Sequence, residues 1–156
     1  MNNPKLLIIG IGNRDRGDDA VGPLLAEKLA KDTGLKKLGV EVVIHSGEGA
    51  SLMELWRGAG KTVIIDAMKS GAALGKVRRF DAADDILTGG TFRYSSHLFS
   101  LAEAVEMARQ LKRLPEQLIV YGIEGREFSF GAALSPKVKA TLSDVAAKVR
   151  GEFKIR

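Results

Sequence analysis

Apolar and polar positions follow two different periods along this chain, and their alternation predicts a layered α/β fold. Short runs of consecutive apolar residues are typical of strands that are covered on both faces. Between them, apolar residues recur every three or four positions, as on one face of a helix. The predicted strands are Lys5–Ile11, Val40–His45, Thr62–Asp66, Lys76–Phe80 and Gln117–Ile123. Lys76–Phe80 alternates between apolar and charged residues, which favours an exposed or edge position.

The predicted helices lie between these strands. Val21–Thr33 carries apolar residues at helical spacing, with Gly34 as its predicted stop, and Leu52–Trp56 is a short helix. A helical stripe from Leu98 to Leu111 stops before a proline, and Pro136 begins the last helix after Ser135 as its N-cap. No repeat, linker or low-complexity tract interrupts this order, so residues 1–156 are predicted to form a single domain.

Length and composition agree with that prediction. The chain has 156 residues, of which 45% are apolar, which is enough for one globular core. No run approaches the roughly 18 apolar residues of a membrane helix, so no membrane insertion is expected. The first apolar run is typical of a strand rather than a signal peptide, and a cytoplasmic location follows as an expectation.

Cysteine is absent, which excludes disulfides, thiolate catalysis and thiolate-held metals. The 24 basic and 19 acidic residues give a net charge of +5. Basic residues are scattered and are not interleaved with aromatic residues, so a nucleic-acid partner is not expected. The positive charge could still aid association with an acidic protein.

Three side chains stand where an apolar strand gives way to a loop or a helix start: Asp19, Asp66 and His97. In an open α/β sheet, ligand sites collect at the carboxyl ends of the strands, so residues that are distant in sequence can converge there. Two carboxylates and one imidazole suit a divalent transition ion and leave coordination positions open for a substrate. We therefore regard these residues as a candidate metal-binding and catalytic set.

Each of these residues also has a local interpretation. Asp18 and Asp19 precede a helix, so one or both could cap it. Asp66 could form a turn, and His97 could be a cap or a surface imidazole. His45 ends the second predicted strand and is a competing ligand. Spacing alone does not establish that the three candidates meet.

The first loop, Gly10-Ile11-Gly12-Asn13, invites comparison with dinucleotide-binding loops. That fingerprint needs a third glycine or alanine where Asp15 stands. Further carboxylates follow, and they would repel a pyrophosphate group. A tight turn with close backbone approach is the favoured interpretation of these glycines.

Five motifs occur in order along the chain: GIGNRDRGDDAVGP, HSGEGASLMEL, VIIDAM, YSSHLFSL and YGIEGREFSFGAALSPKV. Together they resemble the hydrogenase maturation endopeptidases, the processing proteases of [NiFe]-hydrogenase large subunits, from Leu6 to about Val149. The resemblance implies a three-layer α/β/α sandwich around a mixed, twisted sheet of about five strands. It also implies that Asp19, Asp66 and His97 contact a metal.

By the same resemblance, the chain is a hydrolase that removes a C-terminal extension from the immature large subunit after nickel insertion. Nickel would be supplied by the substrate and would serve as the recognition element. The expected partner is the precursor of the large subunit, and the alternative is a chaperone that docks that subunit without cutting it. The chain departs from the family pattern at Asp19, where some members carry glutamate, at Glu48 near the cleft, and after Ile123, where the usual proline is missing.

Overall fold

The computed structural model describes residues 4–87 and 99–154. Its strands are β1 (Leu6–Ile11), β2 (Val40–His45), β3 (Lys61–Met68), β4 (Val77–Asp81) and β5 (Gln117–Glu124). They form one sheet in the order β2-β1-β3-β5-β4, in which β4 runs antiparallel to β5 and every other pair is parallel. The predicted five-stranded mixed sheet is confirmed. The C-terminal ends of β1, β2, β3 and β5 lie along one side of the sheet, called here the carboxyl edge. This side is distinct from the two edge strands, β2 and β4.

The helices fill the connections between strands. A 3-10 turn, Gly17–Ala20, leads directly into α1 (Val21–Ala30). The remaining helices are α2 (Thr33–Lys37), α3 (Gly49–Leu55), α4 (Leu101–Gln110), α5 (Pro136–Lys139) and α6 (Leu142–Glu152).

Two apolar layers cover the sheet, because successive strand side chains point to opposite faces. One layer packs α3 and α4 against the face that carries Ile9, Ile64 and Val120. The other packs α1, α2, α5 and α6 against the face that carries Ile8 and Val63. Helices on both faces make a three-layer α/β/α sandwich, as the resemblance implied.

Several predicted boundaries are wrong, each for a local reason. The helix from Val21 ends at Ala30, and Gly34 lies inside α2 instead of ending a helix. Asp32 starts α2 by accepting a hydrogen bond from the Leu35 N–H at 2.9 Å, so the chain begins a new helix where a stop was predicted. The last predicted helix is divided into α5 and α6, and β3 continues two residues beyond Asp66.

The strand predicted to be exposed or at an edge is β4, an edge strand with exposed arginines at positions 78 and 79. Ser135 occupies the N-cap position before Pro136, but its side chain does not cap the helix. In the part of the chain that the structure describes, no helix has the length and apolar character needed to cross a membrane.

Candidate active site

The turn after β1 carries the first candidate ligand. Gly12 has a φ of +144°, and a Cβ there would overlap the Asp19 carbonyl oxygen. A Cβ on Gly10 would likewise overlap the carbonyl oxygen of Gly22. The glycines therefore let the 3-10 turn and α1 lie directly against the end of β1. This confirms the prediction of close backbone approach and explains the glycine pattern without a nucleotide.

Asp19 is half-buried at this turn. Its Oδ2 accepts a hydrogen bond from the Asn13 N–H at 2.9 Å. Burial raises the pKa of the Asp19 carboxyl, and the Asn13 hydrogen bond and the charge of Arg16 offset only part of that effect. The loop thus holds a carboxylate at the carboxyl edge in surroundings that penalise its charge.

Asp66 lies within β3, opposite Gly122 of β5, and only 8% of it is exposed. Burial raises the pKa of its carboxyl well above the usual range, and the nearby charge of Asp19 raises it further. A hydrogen bond from the Ala67 N–H only partly opposes this. The structure therefore brings Asp19 and Asp66 together as an electrostatically coupled pair, although they lie 47 positions apart in the sequence.

The third candidate, His97, lies outside the described residues. The described chain resumes at Phe99, whose carbonyl oxygen accepts a hydrogen bond from the Gly49 N–H at 2.8 Å. A Cβ on Gly49 would overlap the Phe99 ring, so this glycine permits the contact. Phe99 is thus anchored at the start of α3, just after the loop that follows β2. Within residues 4–87 and 99–154, no three His, Asp or Glu side chains lie close enough together to hold one metal ion.

His45, the competing ligand, is engaged in the loop after β2. Its Nδ1 accepts a hydrogen bond from the Gly47 N–H at 2.9 Å, and its Nε2 lies 2.5 Å from Ser51 Oγ. Because Nδ1 is the acceptor in the neutral ring, Nε2 carries the proton and donates it to the serine. Both ring nitrogens organise the turn, which disfavours His45 as a metal ligand.

Asp18 has a role that the sequence did not reveal. It is fully buried, and its carboxylate accepts hydrogen bonds from the backbone N–H groups of Arg126 (2.8 Å), Glu127 (3.0 Å) and Ser135 (2.7 Å), and from Ser135 Oγ (2.7 Å). Burial alone would raise the pKa of Asp18, but these hydrogen bonds lower it below its usual value.

The predicted helix-capping role of Asp18 and Asp19 is wrong. Neither the 3-10 turn nor α1 receives a side-chain cap. The donors to Asp18 come instead from the loop between β5 and α5, more than one hundred residues away. Asp18 therefore fixes that loop beside the turn that presents Asp19.

Glu124 is a second buried carboxylate that sequence reasoning missed, since the predicted strand stopped at Ile123. It ends β5, is 3% exposed, and accepts hydrogen bonds from the Ser70 N–H (3.0 Å) and Ser70 Oγ (2.6 Å). This fastens the loop after β3 to the end of β5. The available signal was the one that identified Asp66: a carboxylate directly after a buried apolar run.

Chemically, Asp19 and Asp66 are two carboxylates whose negative charges repel each other, so they could offer oxygen ligands to a cation. A divalent cation placed between them would relieve that repulsion and compensate for burial. Their position at the carboxyl edge is where ligands bind in open α/β sheets.

Comparison with known proteins identifies the family. A family model described as hydrogenase maturation protease matches residues 23–152. The chain belongs to the hydrogenase maturation protease family. Asp66 and His97 fall within the matched range, whereas Asp19 lies just before it.

Individual relatives agree with this assignment. The chain is 25% identical to the hydrogenase expression/formation protein HupD of Thiocapsa roseopersicina, over 91% of this chain and 64% of that protein. It therefore spans less than two thirds of that relative. The endopeptidase HycI from Escherichia coli is 27% identical, with a TM-score of 0.66 and coverage of 94% of this chain and 90% of that structure.

The hydrogenase maturating endopeptidase HybD from E. coli is similar in fold. Its TM-score is 0.73 at 19% identity, and the match covers 96% of this chain and 92% of that structure. At this identity the likeness concerns the fold alone. It agrees with the α/β architecture described above.

Proposed function

We propose that this protein is an endopeptidase that removes the C-terminal extension of an immature [NiFe]-hydrogenase large subunit after nickel has been inserted. Family membership supports the reaction class, and HycI and HybD of E. coli are both named endopeptidases. The observation that carries the proposal is the coupled pair of carboxylates, Asp19 and Asp66, at the carboxyl edge of the sheet.

In this proposal the nickel ion belongs to the substrate and acts as the recognition element. Asp19, Asp66 and His97 contribute an incomplete ligand set. The metal centre of the docked precursor, called here the client, completes that set. A client without metal leaves the two carboxylates repelling each other, whereas a loaded client relieves that repulsion. The difference between those two binding free energies gives selectivity for loaded clients.

Peptide hydrolysis then takes place beside the docked ion. An ion bound by these residues would polarise the scissile carbonyl or activate a water molecule, as divalent metals do in other hydrolases. Nucleophilic catalysis by cysteine is excluded because the chain has none. The buried, apolar surroundings of Asp66 strengthen its electrostatic interaction with the reacting groups.

A processing assay tests the proposal. Purified precursor, loaded with nickel or metal-free, is incubated with the protein, and its mass is followed by mass spectrometry. We expect shortening of the loaded precursor only, and loss of shortening with Asp19→Asn, Asp66→Asn or His97→Ala. Asp144→Asn is the matched control, because Asp144 is exposed on α6 and forms an ion pair with Lys148 on the same helix.

The same assay separates the alternative class of function. A docking chaperone would bind the loaded precursor and leave its mass unchanged. Cleavage that proceeds equally well with the metal-free precursor, or with all three site variants, would contradict the metal-gated endopeptidase.

A further inference from the structure

The two edges of the sheet differ in how they are protected against pairing with another chain. Natural edge strands usually carry charges, prolines or bulges that discourage a further strand. β4 has exposed arginines at positions 78 and 79, in keeping with this rule. β2 has the sequence VEVVIH, in which Glu41 is exposed and is the one Asp, Glu, Lys or Arg residue, and it has no proline. It pairs with β1 in unbroken register over all six residues. β2 is therefore the less protected edge.

One hydrogen bond shows which backbone N–H and C=O groups of β2 point away from β1. The Gly12 N–H donates to the His45 carbonyl oxygen at 3.1 Å, so the polar groups of His45 face β1. In a strand the N–H and C=O of one residue point to the same side, and this side alternates with each residue. The N–H and C=O of Val42 and Ile44 therefore point away from the sheet. No described residue pairs with them in the sheet.

This edge leads directly to the candidate active site. β2 neighbours β1, whose following turn carries Asp19. Gly47, in the loop after β2, has a φ of +94°, and a Cβ there would lie 2.9 Å from the Ile11 side chain. Close to the same end of the strand, the Ile44 side chain is 47% exposed and offers an apolar contact. The opposite edge, β4, is separated from β3 by β5.

We propose that the C-terminal extension of the client pairs with the outer edge of β2 as an additional strand. The proposal rests on the endopeptidase function above and names the surface that holds the peptide. Backbone pairing is a common way of binding extended peptides, because main-chain hydrogen bonds give affinity that depends little on sequence. Val42 and Ile44 supply those hydrogen bonds, and the strand aligns the peptide with the carboxylate pair.

Amide hydrogen exchange tests this assignment without any mutation. The protein is mixed with the nickel-loaded precursor, carrying a substitution at its cleavage site that prevents cutting, or with the same subunit ending at that site. We expect exchange at the Val42 and Ile44 amides to slow by about tenfold or more with the precursor, equivalent to about 1.4 kcal/mol of protection. The shortened subunit should leave both amides unchanged.

Ile44→Pro is the corresponding variant, because proline removes an outward N–H that makes no hydrogen bond to β1 and is tolerated on edge strands. Ile44→Ala is its matched control, since it keeps the N–H and removes only the side chain. We expect Ile44→Pro to raise KM for the precursor about tenfold with kcat nearly unchanged, and Ile44→Ala to raise it no more than about threefold. If Ile44→Pro does not fold, the exchange experiment decides alone.

Three outcomes would overturn the proposal. The first is equal protection by both forms of the subunit. The second is protection that depends on the concentration of the protein alone, which would assign β2 to contacts between copies of this chain. The third is unchanged exchange at Val42 and Ile44 while the wild-type protein processes precursor normally. The third result would leave the endopeptidase function intact, whereas absence of processing by the wild type would contradict that function itself.

Discussion

Asp18 and Ser135 are joined by two hydrogen bonds, from the Ser135 N–H to Oδ1 and from Ser135 Oγ to Oδ2, both 2.7 Å long. The contact ties the turn after β1 to the start of α5. Two further N–H groups, of Arg126 and Glu127, complete the set of donors to the same carboxylate. A single buried aspartate thus connects the turn that presents Asp19 with the loop that follows β5.

We expect Asp18→Asn to lower the free energy of unfolding by about 2–4 kcal/mol, as measured by urea denaturation. In the variant, the N–H₂ group of the asparagine amide faces N–H or O–H groups that donate hydrogen bonds to the carboxylate in the wild type. Two donors then face each other and those hydrogen bonds are lost. Asp15→Asn, an exposed change in the same turn, should cost no more than about 0.5 kcal/mol. Equal stability of the two variants would show that the Asp18 hydrogen bonds contribute little.

Asp66→Asn should make the isolated protein more stable while abolishing processing. The pKa of Asp66 is raised in the fold, so the folded protein binds its proton more tightly than the unfolded chain does. Stability therefore falls as pH rises above the usual carboxyl pKa. At pH 8 we expect a gain of about 1–2 kcal/mol in urea denaturation, because the variant removes a buried, repelled charge.

The pH dependence supplies the control for Asp66→Asn. Near pH 4, where the wild-type carboxyl is protonated, the two proteins should differ much less in stability. A variant that is less stable than wild type at both pH values would mean that the Asp66 carboxylate makes favourable contacts that outweigh its burial.

The strands were predictable because each has its own local pattern of apolar residues. Their register was not, because β1, β3 and β5 are buried on both faces and show no apolar–polar alternation. The ends of helices were less predictable. Gly34 was interpreted as a stop, since the sequence does not show that Asp32 will cap a new helix. Helix propensity and capping compete within two or three residues there, and tertiary packing decides between them.

The candidate site was predictable only in part. That Asp66 is a costly buried carboxylate could be inferred from the preceding apolar run. The separate roles of Asp18 and Asp19 could not, because the donors to Asp18 at Arg126 and Ser135 are distant in sequence. Asp18 and Asp19 are adjacent and have the same side chain, so they differ only in the direction in which that side chain points. The fold sets this direction. The prediction for His97 concerns a residue outside the described ranges.

Gly22→Ala should destabilise the protein and reduce processing together. A Cβ at this position would overlap the Ile11 carbonyl oxygen and lie 2.8 Å from that of Ile65. Because both neighbours are backbone atoms of the central strands, they cannot move aside easily. We expect a loss of about 2–4 kcal/mol in the free energy of unfolding. The displaced α1 would also shift Asp19 relative to β3.

Gly151→Ala is the matched control for Gly22→Ala. Gly151 lies within α6 and has open space around its Cβ position. Alanine there should stabilise the protein by about 0.5–1 kcal/mol through helix propensity, with processing unchanged. Similar effects of the two substitutions would contradict close packing of α1 against the ends of β1 and β3.

Glu152 should make the stability of the protein depend on pH in the acid range. Burial would raise the pKa of this carboxyl, but hydrogen bonds from Arg79 and Tyr121 and the charges of Arg79 and Lys61 outweigh burial and lower the pKa from 4.5 to about 2. Between these values the unfolded chain binds more protons than the folded protein. The stabilisation from Glu152 is therefore complete above pH 4.5 and is lost as pH falls towards 2.

We accordingly expect Glu152→Gln to be less stable than wild type by about 2 kcal/mol at pH 7, allowing for solvent screening of half-exposed Arg79. The difference should vanish near pH 2 in urea denaturation. Asp144→Asn removes an exposed ion pair with Lys148 and should change stability by no more than about 0.5 kcal/mol at any pH. If the wild-type and Glu152→Gln curves ran parallel from pH 7 to pH 2, the charge of Glu152 would not be what joins α6 to β4 and β5.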